Sequence, residues 1–556
     1  MRAAYLIITI LLLSFATLSQ AATLSPRLEA ALQGLTVTDQ VDVIVRMRNR
    51  VNLKNFDKAN RKYKRPVYRA RLLRELKSRH YSEQTALKSK INWLSKKEIK
   101  PLWLLNGFAL NLSVTQIVEL SQNPRIESID LDAIVTLAEP IPTTQSPPQW
   151  NINMVQAPVL WSYGYSGQGI VVASMDTGVD IYHPDLAASW RGGTNSWFDP
   201  NGEHVDLPYD KTGHGTGSMG VIVGGNFGGT TIGVAPDAQW IAVKIFKDDD
   251  TTTNSAIHQG FQWLMDPDGN PNTDDAPDVV NNSWGYQDNP GSCITEFEPD
   301  VQLLKQAGIA VIFSAGNAGP TDPVNGPFST ALSPANYADS FAVGAVDQYV
   351  NLASFSSRGP STCTPSSPFP NVVAPGVSIK TADLTSEGVI PNSYAYLNGT
   401  SFAAPHVTGA IALLKSAYPA ATVSELEAAI NNSAIDILSP GLDDESGYGL
   451  LDILGALYTL PVDTDGDGIY DGADNCVLVS NTDQIDTDGD GFGNICDADL
   501  NNDNVVNVLD FNIFRTVFLT SDPNSDFDGN GVVNVFDFNI FRQLFLKTPG
   551  PSGLVH

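Results

Sequence analysis

The pattern of apolar and polar positions along the 556-residue chain changes near residue 169. From there on, short apolar runs end in Gly, Ser, Asn or Asp and alternate with helical segments. This pattern is typical of a parallel sheet that helices cover on both faces. It predicts an α/β domain with a doubly wound, mostly parallel sheet. The predicted strands are residues 170–175, 241–246, 279–280, 310–313 and 341–346.

The first 150 residues follow a different pattern. An apolar run at residues 5–13 lies between Arg2 and the small-x-small sequence Ser19-Gln20-Ala21, which predicts a signal peptide at residues 1–22. The alternative is an N-terminal membrane anchor, for which the run is short. A small α+β unit and a proline-rich linker at residues 138–148 follow. The unit's predicted elements are strands at 41–47, 107–114 and 126–135 and helices at 61–97 and 115–122.

Charge is divided unevenly between these parts. Residues 23–145 carry 21 Lys and Arg against 12 Asp and Glu, whereas residues 146–556 carry 11 against 49. The acidic body argues against nucleic acid or an anionic membrane as a partner, and it favours cation binding or simple solubility. No later segment is apolar enough to predict a membrane span. With the predicted leader, we expect a secreted protein whose four cysteines can pair in an oxidising compartment.

Four motifs carry candidate chemistry. Asp176 stands at the end of the first predicted strand, His214 lies between two glycines just before a predicted helix at residues 219–224, and Asn317 follows a buried strand. Ser401 occupies a Gly-Thr-Ser turn that is predicted to open a helix, with Pro405 in its first turn. Taken alone, Ser401 is better explained as an N-capping serine. Together, however, the four residues supply a nucleophile, its base, a carboxylate for the base and an oxyanion donor.

These motifs resemble those of the subtilisin-like serine proteases and follow that family's order. The stretches that carry the resemblance are Asp176-Thr177-Gly178, Gly213-His214-Gly215-Thr216, Ala315-Gly316-Asn317 and Gly399-Thr400-Ser401 with Pro405-His406. The resemblance covers about residues 150–456, and residues 279–285, 355–360 and 374–376 are similar to the bacillopeptidase F-like branch. It implies a serine endopeptidase in which Asp176, His214, Ser401 and Asn317 are catalytic.

The resemblance also implies a division of the chain. Residues 146–460 would form the catalytic domain, and residues 23–145 an inhibitory propeptide that assists folding and is then cut off. The alternative for the basic residues is that they only solvate a helix. Ser283, Trp284 and Gly285 would form an extended edge that pairs with the peptide substrate, the alternative being an ordinary buried strand end.

Other polar groups near the motifs are not assigned to catalysis. His183 and His406 are expected to have supporting or packing roles, and His204 and His258 to be surface or core residues. The acidic loop at residues 266–278 is either a cation site or a solvated turn.

Beyond residue 460, Asp, Asn and Gly dominate, and a 12-residue pattern occurs four times. Each copy has oxygen-bearing side chains at positions 1, 3, 5 and 12, the spacing of a calcium loop with a sharp turn at position 6. Solvated turns without metal are the alternative. Position 12 is Asp rather than Glu, and Asn504 replaces glycine at position 6 of the third loop. The four sets are Asp463, Asp465, Asp467 and Asp474; Asp486, Asp488, Asp490 and Asp497; Asp499, Asn501, Asp503 and Asp510; and Asp526, Asp528, Asn530 and Asp537.

The first two loops, within residues 461–498, resemble a thrombospondin type 3 repeat, which implies a disulfide between Cys476 and Cys496. Four cysteines allow three pairings, and the pairing of Cys293 with Cys363 stays open. The last two loops, within residues 499–548, resemble a dockerin, which implies a cohesin-like or cell-surface partner. The stripe of Phe511, Phe514 and Phe518 and its repeated copy favour the core of a helix pair over a docking face.

The sequence therefore predicts a secreted serine endopeptidase that is made as a zymogen, has calcium as its cofactor and acts on proteins or peptides. Two alternatives remain. One is a calcium-dependent attachment protein whose protease domain is vestigial, and the other is a processing protease with one dedicated substrate.

Overall fold

The computed structural model describes residues 22–94, 99–137, 149–320, 329–438 and 440–555. The predicted leader, apart from Ala22, and the predicted linker at 138–148 lie outside these residues. Within the described ranges, the helices are too short or too polar to cross a membrane.

A five-stranded sheet with strand order β1-β5-β2-β4-β3 forms the N-terminal part. The predicted basic helix at 61–97 begins at Arg65, because Pro66 suits the first turn of a helix rather than its interior, and a separate helix at residues 53–60 precedes it. The elements are β1 (Thr23–Leu24), α1 (Pro26–Leu32), β2 (Gln40–Met47), α2 (Leu53–Asn60), α3 (Arg65–Leu94), β3 (Lys100–Leu102), β4 (Gly107–Ser113), α4 (Val114–Ser121) and β5 (Ile126–Leu131).

The predicted strand at 126–135 is interrupted. Its second half is β6 (Ile134–Thr136), which leaves the five-stranded sheet and pairs antiparallel with β10 (Thr251–Thr253) of the central part. At the break, Asp132 accepts hydrogen bonds from the backbone N–H and hydroxyl of Ser255, and the carbonyl of Ala133 accepts from Asn254 N–H. The break thus satisfies two of the free backbone donors at the start of helix α9 (Asn254–Met265).

A seven-stranded sheet with strand order β14-β13-β12-β11-β7-β9-β8 forms the central part, and every neighbouring pair is parallel. The predicted α/β fold class is confirmed; β8 and β14 were not predicted. The strands are β7 (Val171–Asp176), β8 (Trp197–Phe198), β9 (Gln239–Lys244), β10 (Thr251–Thr253), β11 (Val279–Asn282), β12 (Ala310–Ser314), β13 (Phe341–Val346), β14 (Val372–Pro375), β15 (Ile379–Ala382) and β16 (Tyr394–Leu397), the last two forming a separate antiparallel pair.

Alternate residues of these strands belong to two different hydrophobic clusters. Val172 is buried with residues of the helix at 400–417, whereas Ala173 and Met175 are buried with residues of the helices at 254–265 and 298–306. Helices therefore cover both faces of the sheet. The helices are α5 (Trp150–Met154), α6 (Ala157–Ser162), α7 (Pro184–Ala187), α8 (His214–Val223), α9 (Asn254–Met265), α10 (Glu298–Gln306), α11 (Thr400–Ala417), α12 (Val423–Ser433) and α13 (Ile453–Tyr458).

The C-terminal part consists of the four acidic loops and two helices, α14 (Val508–Val517) and α15 (Val535–Leu544). Phe514 and Phe541 are buried together between these helices, as the helix-pair interpretation predicts, while Phe518 is 42% exposed. Val462 and Val477 are buried in one of the clusters of the central sheet. The first acidic loop is therefore packed against the central part.

Candidate active site

Asp176 is the last residue of β7, and its side chain is buried. In the sheet, β7 lies between β9 and β11. The chain continues from β7 to the β9 side and later returns to the β11 side, so the strand order reverses at β7. Ligands of open α/β sheets bind at the carboxyl ends of the strands at such a reversal. One carboxylate oxygen of Asp176 accepts from Thr177 N–H (2.7 Å) and lies 2.7 Å from His214 Nδ1.

His214 is the first residue of α8, so this helix begins five residues before the predicted start at residue 219. The buried carboxylate of Asp210 causes the earlier start, because it accepts from the N–H groups of Gly213 (3.1 Å) and Thr216 (2.9 Å). A Cβ atom on Gly215 would lie 2.1 Å from the carbonyl oxygen of Gly178, so only glycine permits this approach. Sequence reasoning missed Asp210, although it lies only four residues before His214.

The contact with Asp176 fixes the tautomer of His214. Because Nδ1 faces a carboxylate, Nδ1 carries the proton and Nε2 is left to act as a base. Burial alone would lower the pKa of His214, but the charge and hydrogen bond of Asp176, with smaller contributions from Asp210 and Asp250, raise it above its ordinary value.

Ser401 is the second residue of α11, after Gly399 at the N-cap with φ +145°. Pro405 lies in the helix interior rather than in the predicted first turn. Proline has no N–H for the carbonyl of Ser401 four residues earlier. That carbonyl instead accepts from the hydroxyls of Ser283 (2.8 Å) and Ser218 (3.5 Å), which compensates for the missing helical bond.

The hydroxyl of Ser401 is also held by Ser283. It donates to the carbonyl oxygen of Ser283 at 3.3 Å rather than to His214, among the residues that the structure describes. The backbone N–H of Ser401 is one of the four at the start of α11 that have no partner within the helix. These groups and the helix dipole favour negative charge at this point.

Asn317 follows β12 and is oriented by Thr400. Its Oδ1 accepts from both the backbone N–H (2.9 Å) and the hydroxyl (2.8 Å) of Thr400. Since both donors face Oδ1, the amide NH₂ is left to donate elsewhere. The hydroxyl oxygen of Thr400 in turn accepts from Gly316 N–H at 3.2 Å. Thr400 is a second positioning residue that sequence reasoning missed.

Ser283, Trp284 and Gly285 follow the end of β11 and are buried. The Trp284 ring packs edge-to-face on Phe297 and Phe313, with centroids 5.7 and 5.5 Å away. This stretch therefore has its large side chain in the core and its backbone beside Ser401. Pairing with a peptide remains a prediction.

Two other buried groups lie near the motifs. His406 contacts Asn151 Nδ2 (2.9 Å) and the carbonyl of Phe402 (2.8 Å), and burial lowers its pKa to about 4, so it is neutral. Lys244 is fully buried and donates to the carbonyl of Thr177 at 2.9 Å, directly after Asp176.

The four acidic loops share one backbone conformation. In each, the residues at positions 4 and 6 have positive φ, and Asn502 (+56°) and Asn504 (+66°) adopt in the third loop what glycines adopt in the others. Asparagine tolerates this region better than other non-glycine residues. The third loop therefore keeps the turn despite lacking glycine. The glycines are Gly466, Gly468, Gly489, Gly491, Gly529 and Gly531, with φ between +66° and +98°.

The position-1 carboxylate closes each loop by accepting from the N–H of position 6, as Asp463 does from Gly468 (3.0 Å) and Asp526 from Gly531 (2.7 Å). In three loops, three acidic residues each place one oxygen within 4.8 Å of the others. Burial and neighbouring carboxylates raise the pKa of Asp465 to about 6 and of Asp497 to about 7. Oxygen donors crowded in this way suit a hard cation such as Ca²⁺. The three groups are Asp463, Asp465 and Asp467; Asp486, Asp488 and Asp490; and Asp526, Asp528 and Asp537.

The position-12 residues Asp510 and Asp537 also lie in the first turns of α14 and α15, where each forms a capping box with Asn507 or Asn534. Loop closure and helix start are thus coupled. Both cysteine pairs are bonded: Cys476 with Cys496, and Cys293 with Cys363, the pairing that the sequence left open.

The chain is similar in sequence to one protein family and to several known proteins. The subtilase family model matches residues 167–449, which include all four motifs. Bacillopeptidase F from Bacillus subtilis (strain 168) is 35% identical over 406 residues, which are 67% of this chain but 27% of that protein. An alkaline protease from Alkalihalobacillus alcalophilus is 34% identical over 369 residues, 65% of this chain and 84% of that protein. Subtilisin E from Bacillus subtilis (strain 168) is 33% identical over 355 residues, 63% and 81%.

Proposed function

Since this chain belongs to the subtilase family of serine endopeptidases, we propose that it hydrolyses proteins or peptides with Ser401 as nucleophile, His214 as general base and Asp176 as the group that orients His214. The observation that carries the assignment is the 2.7 Å contact between His214 Nδ1 and the buried carboxylate of Asp176. It leaves Nε2 unprotonated, so this nitrogen can act as the base for a serine at a helix start.

In the first step, Ser401 Oγ leaves the carbonyl of Ser283 and donates to His214 Nε2. Oγ then attacks the peptide carbonyl while its proton passes to Nε2, and Asp176 stabilises the imidazolium. The charge that develops on the substrate oxygen is held by the backbone N–H of Ser401 and the NH₂ of Asn317. His214 gives its proton to the leaving amine, and a water molecule hydrolyses the acyl-enzyme by the same steps in reverse.

The N-terminal part acts as an inhibitory propeptide in this proposal. Strand β6 ends just before the predicted linker and pairs with β10, which leads into α9. The buried residues of α3 share one hydrophobic cluster with α9 and α10. These contacts suit a segment that folds together with the protease. In this proposal it is cut off at the linker within residues 138–148, and residues 146–460 form the catalytic domain.

The C-terminal loops bind Ca²⁺ in the same proposal, and the protein is exported. The repeated left-handed turns and clustered carboxylates support the calcium sites. The predicted leader and two disulfides support export to an oxidising compartment. The exposed apolar residues Val508, Leu509, Val535 and Phe536, at equivalent places in α14 and α15, are where a cohesin-like or cell-surface partner would bind.

The test is casein hydrolysis by the processed protein, with and without a serine-directed fluorophosphonate, and by the Ser401→Ala variant. We expect the inhibitor to abolish cleavage and label Ser401, and the variant to lose about 10⁶ in kcat, the loss known for the serine of subtilisin. The variant should also keep its N-terminal part uncut if maturation is autocatalytic. A folded, processed protein that neither cleaves nor is labelled would favour the vestigial-protease alternative.

A further inference from the structure

The loop at residues 266–278 carries five aspartates and no lysine or arginine. Hydrogen bonds within the loop and to neighbouring segments hold its conformation. Asp275 accepts from Asn195 Nδ2 and from Asp268 N–H, both at 3.0 Å, and its backbone carbonyl accepts from Arg191. Asp278 accepts from Val171 N–H at 3.1 Å, at the start of β7. So many carboxylates on one rigid loop make a strongly negative surface.

Helix α3 of the N-terminal part places three cations on this loop. Arg65 pairs with Asp278, Arg69 with Asp274 (2.8 Å) and Lys77 with Asp266. Arg65 also donates to the carbonyl of Pro277 at 3.0 Å. The Arg69 side chain is 2% exposed, and Asp274 is its only hydrogen-bonding partner among the described residues. Burial and the nearby Arg65 lower the pKa of Arg69 to about 10, so it remains charged at neutral pH.

An apolar stripe on the same helix lies beside these cations. Tyr68, Leu72, Leu73 and Leu76 are at most 7% exposed and share a cluster with residues of α9 and α10. Lys77 Nζ lies 5.1 Å from the ring centroid of Trp103, whose side chain packs on the same cluster. Helix α3 therefore combines this apolar stripe with the ionic row of Arg65, Arg69 and Lys77. Stable protein interfaces contain both kinds of contact.

This contact is separate from the catalytic residues. Its acidic partners precede β11 in the chain, whereas Ser283 and the catalytic groups follow the carboxyl ends of the strands. Opposite ends of parallel strands lie at opposite edges of the sheet. The contact of α3 therefore does not depend on occupation of the catalytic cleft.

We propose that the acidic loop 266–278 is a docking site for helix α3. This contact, the ionic anchor, holds the N-terminal part on the protease after the linker has been cut. The proposal rests on the proposed function, in which the N-terminal part is a propeptide. It assigns the release of that part to the breaking of the ionic row, so that release depends on ionic strength as well as on proteolysis. Salt screens the attraction between charges that are exposed and farther apart than the Debye length, about 8 Å at 0.15 M salt, so it acts on the acidic loop and the cations of α3 once they begin to separate.

The experiment uses the full chain with Ser401→Ala and a recognition site for an added, unrelated protease within residues 138–148. After the cut, dissociation of the N-terminal part is timed by gel filtration between 0.05 and 1 M NaCl, which shortens the Debye length from about 14 Å to about 3 Å. We expect the two parts to co-elute at low salt and to separate faster as salt rises. Co-elution that is unchanged across this range would overturn the ionic anchor.

Two variants locate the anchor. Arg69→Ala with Lys77→Ala should speed dissociation about 30-fold at low salt and flatten its salt dependence, because each loses one partner of a buried or half-buried pair. The matched control is Lys54→Ala with Lys58→Ala, which removes the same charge from exposed positions of α2. Equal rates for the two double variants would refute the proposal.

A third variant acts from the loop side and preserves shape. Asp274→Asn removes the negative charge that faces Arg69, and Asp288→Asn, at an exposed position outside the loop, is its control. Casein hydrolysis by the Ser401 enzyme, cut in the same way, separates this inference from the proposed function. If the N-terminal part stays bound yet does not inhibit, the propeptide role fails and the anchor stands; if it inhibits but leaves at equal rates in all variants, the anchor fails alone.

Discussion

Arg46 of the N-terminal sheet donates to a carboxylate oxygen of Glu296 at 2.5 Å, and the two side chains are 9% and 10% exposed. On the far side, His258 lies between Glu296 and Asp300, 2.9 Å from each. Asp130 lies 3.8 Å from Arg46. A buried charge network thus joins the N-terminal part to α9 and α10. An unpaired member of such a network is costly.

The network predicts a pH-dependent stability. Burial would lower the pKa of His258, but Asp300 and Glu296 raise it from 6.5 to about 9. A raised pKa stabilises the fold below pH 6.5, and this contribution, about 3 kcal/mol, is lost as the pH rises toward 9. In the Ser401→Ala chain, Tm should fall over this range, and less so with His258→Gln. Parallel Tm curves for the two proteins would contradict the assignment.

The pH dependence of catalysis should follow His214. Its pKa is raised above 6.5, and only the unprotonated ring acts as a base. We therefore expect kcat/KM of the processed enzyme to fall as the pH drops through a value above 6.5. Asp176→Asn should lower kcat by about 10⁴ and move this acid limb to lower pH. An acid limb at the same pH in both enzymes would assign it to another group.

The oxyanion assignment predicts a graded loss. Asn317→Ala should lower kcat by about 10² to 10³ with little change in KM, because the donor acts on charge that develops in the transition state. Thr400→Val removes one of two bonds that orient the amide, and should cost about tenfold. Thr459→Val, which loses a hydroxyl bond at the end of α13, is the control. If Asn317→Ala raised KM by a larger factor than it lowered kcat, Asn317 would act in substrate binding instead.

Calcium removal should destabilise the C-terminal part. We expect equilibrium dialysis of the Ser401→Ala chain to detect up to four Ca²⁺, one for each loop of the repeat. EGTA should lower Tm, since the carboxylates that crowd each loop lose their counter-charge. Asp463→Ala and Asp526→Ala should each remove about one Ca²⁺ from the count. Asp483→Ala, an exposed aspartate outside the four position sets, should remove none.

The catalytic motifs could be predicted because each is local. Asp176, His214, Asn317 and Ser401 stand next to strand ends or helix starts, which the apolar pattern marks. Contacts between distant segments gave no such signal. Glu296 and Arg46 are 250 positions apart, and nothing near either one indicates the other. His258 was accordingly expected to be an ordinary surface or core residue, and its two carboxylate partners were missed.

Helix bounds were less predictable where side chains outside the helix decide them. The start of α8 at His214 depends on Asp210, and the continuation of α11 through Pro405 depends on the hydroxyls of Ser283 and Ser218. A rule that places proline in the first turn fails here because the freed carbonyl finds other donors. The third acidic loop is similar, since Asn504 adopts the turn that was expected to need glycine.

Ser401 and Ser283 exchange two hydrogen bonds, hydroxyl to carbonyl in both directions. If a peptide pairs with this edge as predicted, its N–H groups compete for the carbonyl that now holds the Ser401 hydroxyl. Arrival of the substrate would then release the nucleophile toward His214 in the same motion. The same backbone edge would then hold Ser401 inactive in the free enzyme and bind the substrate, so that the serine becomes available for attack only when a peptide is bound.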